Sequence, residues 1–430
     1  MPDSRSSLLT KNVMASFLIK GWSAAIVYLM VPLTLKMLGE YNNGVWLTIS
    51  GILVWIDMLD IGLGNGLRNA VSQYIAEGKT QKVREAISST FFMLALIVLP
   101  IIAIIAGIVM WGDIYSWLGF SNTIVPNLRP ILIVAATLVC MAFIFKTIGN
   151  VYMGLQLPAV NNLLLCLGQT LALIGTFMAY TMGSHSLFVV VLLNTLLPLS
   201  VWILSFPYTF WHRYPQYRPT LSSANLAVAK ALCSTGVQFF VIQICSVVLF
   251  ASTNIIISRM FSPTEVTPYQ VAYRYFSIML VFFTIVCMPF WNATTDAYTR
   301  GDMPWIHRAS RRLNIMLLGI AIGMAIMVAV SPTVYHLWVG DDVNVPMSLS
   351  AAMACYLLIL IVSMRYSYFL NGIGILLIQL IFTVIATIAF LPLAIWACDE
   401  WHNVTTLVWV MCLVNTPGLI ANIWKFNKVV

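Results

Sequence analysis

The chain has 430 residues, of which 60% are hydrophobic and only 8% charged, and its mean hydropathy is +0.92. A soluble globular surface needs about a quarter to a third charged residues, so this composition excludes a water-soluble fold and makes lipid the solvent. The formal net charge of +8 is dispersed among loops and not gathered in one patch, which argues against a nucleic-acid partner and leaves the basic residues to report topology.

A hydrocarbon core about 30 Å thick takes about 20 apolar residues per helix, and each span must satisfy its own backbone, so helices do the crossing. Residues 1–12 are polar and lead into the first apolar run without an A-x-A site, so no removable signal peptide is expected. Apolar runs follow at 13–38, 43–67, 86–111, 126–149, 158–182, 186–208, 227–257, 267–291, 313–335, 347–371, 373–397 and 403–424, which predict twelve transmembrane helices.

With both termini placed on the cytoplasmic side, the inner loops and termini collect most of the basic residues, including Lys79, Lys82, Arg84, Lys146, Arg213, Arg218, Arg308, Arg311 and Arg312. The outer loops keep only Lys36, Arg129 and Arg259, and the acidic Asp113, Asp341, Asp342, Asp399 and Glu400 fall outside. This is the positive-inside bias. Trp111, Trp117, Trp338 and Trp401 mark the outer interface, and Trp211, Trp291, Trp305 and Trp424 the inner one.

The longest polar connection, at about 211–225, leaves no room for an extramembrane catalytic or nucleotide-binding domain. Sliding the second half by 223 positions sets Lys36 against Arg259 and Gly78 against Gly301, a weak internal repeat of the kind common in transporters. The predicted organisation is therefore all-α: a six-helix lobe over 1–210, a cytoplasmic linker over 211–225 and a second six-helix lobe over 226–430.

The glycines of Gly62-Leu-Gly64-Asn-Gly66 imitate a dinucleotide loop but sit late in a membrane helix with no preceding strand. Gly78-Lys79-Thr80 imitates the end of a phosphate loop, yet Gln73 occupies the position of its first glycine. Paired-histidine, metal-ligand and serine-nucleophile patterns are absent, and the eight cysteines lie mostly in apolar runs without CxxC spacing. No catalytic residue, metal or cofactor is expected.

The informative residues are the ionisable ones inside spans, because a charge near the bilayer centre costs about 2.5–3.5 kcal/mol on insertion scales. Asp57 and Asp60, spaced i, i+3, share a helix face. They read as a cation or proton site, or as a structural pair neutralised by Lys20 or Arg68. Lys20 faces a lumen or snorkels to the interface. Arg274 and Arg365 have no acidic residue one turn away, and guanidinium groups match phosphate geometry. They suggest a cationic cavity that receives an anion, or hydrogen bonds to helix carbonyls. Pro32, Pro100, Pro198, Pro289 and Pro392 mark bending points.

The stretch Pro32-Leu-Thr-Leu-Lys-Met-Leu-Gly39, then Tyr41-Asn-Asn-Gly44-Val-Trp46, Leu59-Asp60-Ile-Gly62-Leu-Gly64, Ser72-Gln73-Tyr74 and Gly78 resembles the opening of bacterial polysaccharide flippases. These are the O-antigen and exopolysaccharide repeat-unit translocases of the multidrug/oligosaccharidyl-lipid/polysaccharide exporter superfamily. The match covers about the first ninety residues, and it departs from the family's Tyr-Gly pairing by the two asparagines between Tyr41 and Gly44. The resemblance implies two six-helix lobes around a central cavity in the bacterial inner membrane. It also implies transfer of an undecaprenyl-diphosphate-linked oligosaccharide to the outer leaflet, coupled to protons or sodium, alongside polysaccharide polymerase and chain-length machinery. On charge and depth, and not by any family motif, Lys20, Arg274 and Arg365 are the candidates to face the diphosphate, and Asp57, Asp60 and Arg68 the candidates for coupling or charge pairing. Competing readings are a cation-coupled drug exporter of the same superfamily, a membrane polymerase or ligase acting on the same lipid-linked sugars, and a non-catalytic component of a glycan-assembly complex.

Overall fold

The computed structural model describes residues 3–57, 63–155, 157–232, 252–299, 301–341, 343–375 and 377–430. Twelve helices are labelled in chain order: α1 (Asp3–Asp57), α2 (Leu63–Ala76), α3 (Thr80–Trp111), α4 (Ile114–Leu118), α5 (Leu128–Gly154), α6 (Pro158–Thr181), α7 (Leu187–Pro207), α8 (Pro263–Thr299), α9 (Met303–Val339), α10 (Met347–Ile373), α11 (Leu377–Trp401) and α12 (Val404–Val429). Further helical segments occupy 226–232 and 252–260. Among the described residues, nine helices are long and apolar enough to cross a membrane, and no strand occurs. The protein is an all-α integral membrane protein.

Helix ends differ from the apolar runs for a physical reason. Hydropathy sees only the part of a helix in hydrocarbon, whereas backbone hydrogen bonding continues into the headgroup zone. α9 therefore begins ten residues before the apolar run, where the Asp302 carboxylate accepts from the Trp305 N–H at 3.0 Å. α1 carries 55 residues, about 80 Å if straight, and cannot be one span. Gly39, at φ 72 and ψ 170, breaks it into two helices at the predicted outer turn.

The internal repeat has a structural counterpart. Gly78 (φ 70) and Gly301 (φ 74) both stand in the left-handed region just past a helix. Lys79 N–H donates to Tyr74 O (2.8 Å) and Thr80 N–H to Gly78 O (3.2 Å); Asp302 N–H donates to Ala297 O (2.8 Å) and Met303 N–H to Gly301 O (2.9 Å). These are matching six-to-one helix stops, which a residue with a Cβ would strain.

The chain divides into two compact units, Met1–Val247 and Val248–Val430. In the first, α5 is the hub, packing on α1, α2, α3, α6 and α7. The connection after α7 is docked on the start of α3. Arg84 Nε donates to Arg218 O (3.1 Å), and the Thr220 and Asn225 N–H groups donate to Ser88 Oγ (3.1 Å) and Ser89 Oγ (2.9 Å). In the second unit α10 is the hub, packed on α8, α9 and α12, while α11 packs on α12.

Within the glycine motif of 62–66, Gly66 does packing work. A Cβ on Gly66 would lie 2.4 Å from the Leu232 carbonyl oxygen, a backbone atom that cannot swing away. Gly66→Ala is expected to cost about 1–3 kcal/mol by overpacking. A fall in the monodisperse yield on size-exclusion chromatography checks this; wild-type yield would refute it.

Candidate functional site

The polar interior of the first unit is built on one face of α5. Val139, Ala142, Phe143, Lys146, Thr147 and Asn150 follow helical i, i+3, i+4 spacing, and all line two cavities that share Lys146 and Trp202. The first, about 220 Å³, is closed by Trp46, Ser50, Leu53 and Val54 of α1 and by Asn194, Thr195, Pro198 and Leu199 of α7. The second, about 230 Å³, adds Gly64, Leu94, Asn161 and Leu165.

Local sequence choices shape these walls. Gly149 lets α6 come close: a Cβ there would sit 2.2 Å from Asn161 Oδ1. Pro198 has no N–H, so the Asn194 carbonyl one turn earlier lacks its intrahelical donor. The Asn194 side-chain amide is spent on Val190 O (2.9 Å) and Thr176 Oγ1 (3.3 Å), so what Asn194 still offers is acceptor oxygen. Trp202, 2% exposed, lines both cavities.

Lys146 is half-buried and lies eight residues, about 12 Å, before the end of α5. The inner-loop placement given to it by topology is therefore corrected: α5 runs on to Gly154, and the ammonium belongs to a membrane helix. Among the described residues, no carboxylate lines either cavity. A lysine sharing these walls with Asn, Ser, Thr and Trp side chains can hold an anionic or polar head group inside an otherwise apolar bundle.

Arg365 has the same position in the hub of the second unit, eight residues before the end of α10, but the opposite environment. It is 2% exposed. Its Nη2 donates to the Ser310 hydroxyl and, at 3.4 Å, to the Ser310 carbonyl on α9. The guanidinium carbon lies 4.0 Å from the Tyr366 ring centroid and 5.3 Å from that of Phe426 on α12. The expectation of an unpaired arginine in a water-filled cavity is thus not met in this conformation; Arg365 ties α9, α10 and α12 together.

Of the remaining sequence candidates, Arg274 and Arg68 are not among the residues that line the Lys146 cavities. Arg274 is half-buried about three turns into α8. Arg68 is exposed on α2. Lys20 and Asp57 fall in α1 with side chains outside the described set, and Asp60 lies outside the described residues. Lys146 is identifiable in the sequence from its place inside the 126–149 apolar run.

Comparison with known proteins adds three findings. The profile of the family described as polysaccharide biosynthesis protein matches residues 9–290. A Salmonella typhi protein named "Putative O-antigen transporter" is 23% identical over 356 residues, spanning 80% of this chain and 78% of that protein. Its namesake in Salmonella typhimurium is 22% identical over 340 residues, 77% of this chain and 71% of that protein. Among solved structures, an inward-facing multidrug resistance MATE family transporter of the MOP superfamily superposes with a TM-score of 0.78 at 15% identity, over 94% of this chain and 93% of that one. An outward-facing MATE family transporter gives 0.60 at 16% identity, over 96% and 97%. At these identities the structural likeness establishes the fold.

Proposed function

Because the chain belongs to the polysaccharide biosynthesis protein family, we propose that it is a flippase for an undecaprenyl-diphosphate-linked oligosaccharide repeat unit. It carries the unit from the inner to the outer leaflet of the bacterial inner membrane, with both termini cytoplasmic and with proton or sodium coupling. The reaction is translocation and involves no bond chemistry on the substrate.

The observation that carries this reading is Lys146 at the shared wall of two cavities inside a membrane lobe. Its ammonium is a point charge that a diphosphate or an anionic sugar can engage by charge-assisted hydrogen bonds. The O-antigen transporters among the relatives support the substrate class. Lys20, Arg274 and Arg365 remain candidates for later points on the path, Arg365 only after α9 and α10 separate. Asp57, Asp60 and Arg68 are the candidates for coupling.

The MATE-like fold favours a second reading, export of small cations. That reading needs acidic, aromatic-lined pockets, whereas the two cavities of the first unit hold a lysine and, among the described residues, no carboxylate.

The test is reconstitution into liposomes with a fluorescent undecaprenyl-diphosphate oligosaccharide and an external quencher, with and without an imposed proton or sodium gradient. Protein-dependent access to the quencher is expected, and the gradient that accelerates it names the ion. Efflux of small cationic dyes without transfer of the glycolipid would replace the flippase by the exporter.

A further inference from the structure

The second unit carries a cleft of about 390 Å³ where α8, α10 and α12 begin. This is within the roughly 300–1,000 Å³ of small-molecule sites. Its chemistry is set by Phe261, Ser262, Glu265, His402, Asn403 and Thr405.

The hydrogen-bonding inventory of the cleft is mixed. His402 Nδ1 is 3.1 Å from the Cys398 carbonyl, which can only accept, so Nδ1 carries the hydrogen and Nε2 of the neutral ring is an acceptor. Asn403 Oδ1 accepts from the Thr405 N–H (2.8 Å), which leaves the Nδ2 hydrogens as donors. Ser262 Oγ accepts from the Thr264 N–H (3.2 Å) and keeps its O–H to donate. The exposed Glu265 carboxylate adds acceptors.

A phosphate needs donors alone and a metal ion needs acceptors alone, so neither fits this set. A sugar ring, whose hydroxyls each donate and accept, uses all of it, and its C–H face can lie on the half-buried Phe261. His402 itself points the same way. Its φ of 46 makes it the one described non-glycine residue in the left-handed region, where glycine would sit without steric cost.

We propose that this cleft is a saccharide subsite that holds one sugar ring of a glycan. The flippase reading supplies the origin of that glycan, and the topology expected from charge puts the cleft on the outer side, where the glycan emerges.

Saturation-transfer NMR on the full chain in lipid nanodiscs tests it, with free D-glucose, D-galactose, N-acetyl-D-glucosamine and L-rhamnose as probes and inorganic phosphate as competitor. Transfer to the ring protons of at least one sugar is expected. Glu265→Ala should weaken its binding about tenfold, the loss of one hydrogen bond to a charged group. His402→Gly should also weaken binding while leaving the apparent melting temperature unchanged or raised, so misfolding cannot account for the loss. Absence of transfer from all four sugars, equal binding by wild type and both variants, or displacement by phosphate would overturn the proposal. A chain that binds sugar yet fails to translocate glycolipid keeps the subsite and sinks the flippase; translocation without sugar binding does the reverse.

Discussion

Replacing Lys146 with Met should lower glycolipid translocation at least about tenfold. Loss of a hydrogen bond to a charged group is worth about 1.5–3 kcal/mol, which is about 10- to 150-fold in rate or affinity. Insertion and thermal unfolding are measured alongside, since misfolding and loss of function would otherwise look alike. Lys146→Arg keeps the charge but brings a larger fork into cavities of about 220 and 230 Å³, and should retain part of the activity. Wild-type rates in the Met variant would remove Lys146 from the path.

Arg365→Ala should act on stability first. The guanidinium is 2% exposed, donates to both the hydroxyl and the carbonyl of Ser310, and lies against Tyr366 and Phe426. Truncation opens a cavity at the α9–α10–α12 junction and takes away the donor at Ser310. Large-to-small changes at buried sites cost about 2–5 kcal/mol, and a loss toward the middle of that span is expected. Fluorescence-detected thermal unfolding in detergent should show a drop of several degrees. Ser310→Ala, which leaves the ring contacts in place, should show a smaller one. If Arg365→Ala instead abolishes translocation with an unshifted melting temperature, the side chain serves substrate and not the junction.

These two residues also show where sequence reading stops. Both are basic, both lie in the second half of an apolar run, and each stands eight residues before the end of the hub helix of its unit. Linear chemistry treats them alike. What separates them is how the neighbouring helices pack. Around Lys146 they leave two cavities lined by Asn, Ser and Thr side chains among apolar ones; around Arg365, Tyr366 and Phe426 close over the charge.

By itself the sequence determined the solvent, because 8% charged residues cannot cover a soluble protein, and with it the helical class and the approximate spans, because lipid forces each segment to satisfy its own backbone. It also determined the helix stops at Gly78 and Gly301, since a left-handed residue is a local requirement that glycine meets alone at no steric cost. Only the tertiary structure decided that the glycine motif accommodates the Leu232 backbone, that Lys146 opens onto cavities and that Arg365 is sealed. Each of those outcomes depends on side chains from helices far apart in the chain, and no local propensity encodes which of them will meet.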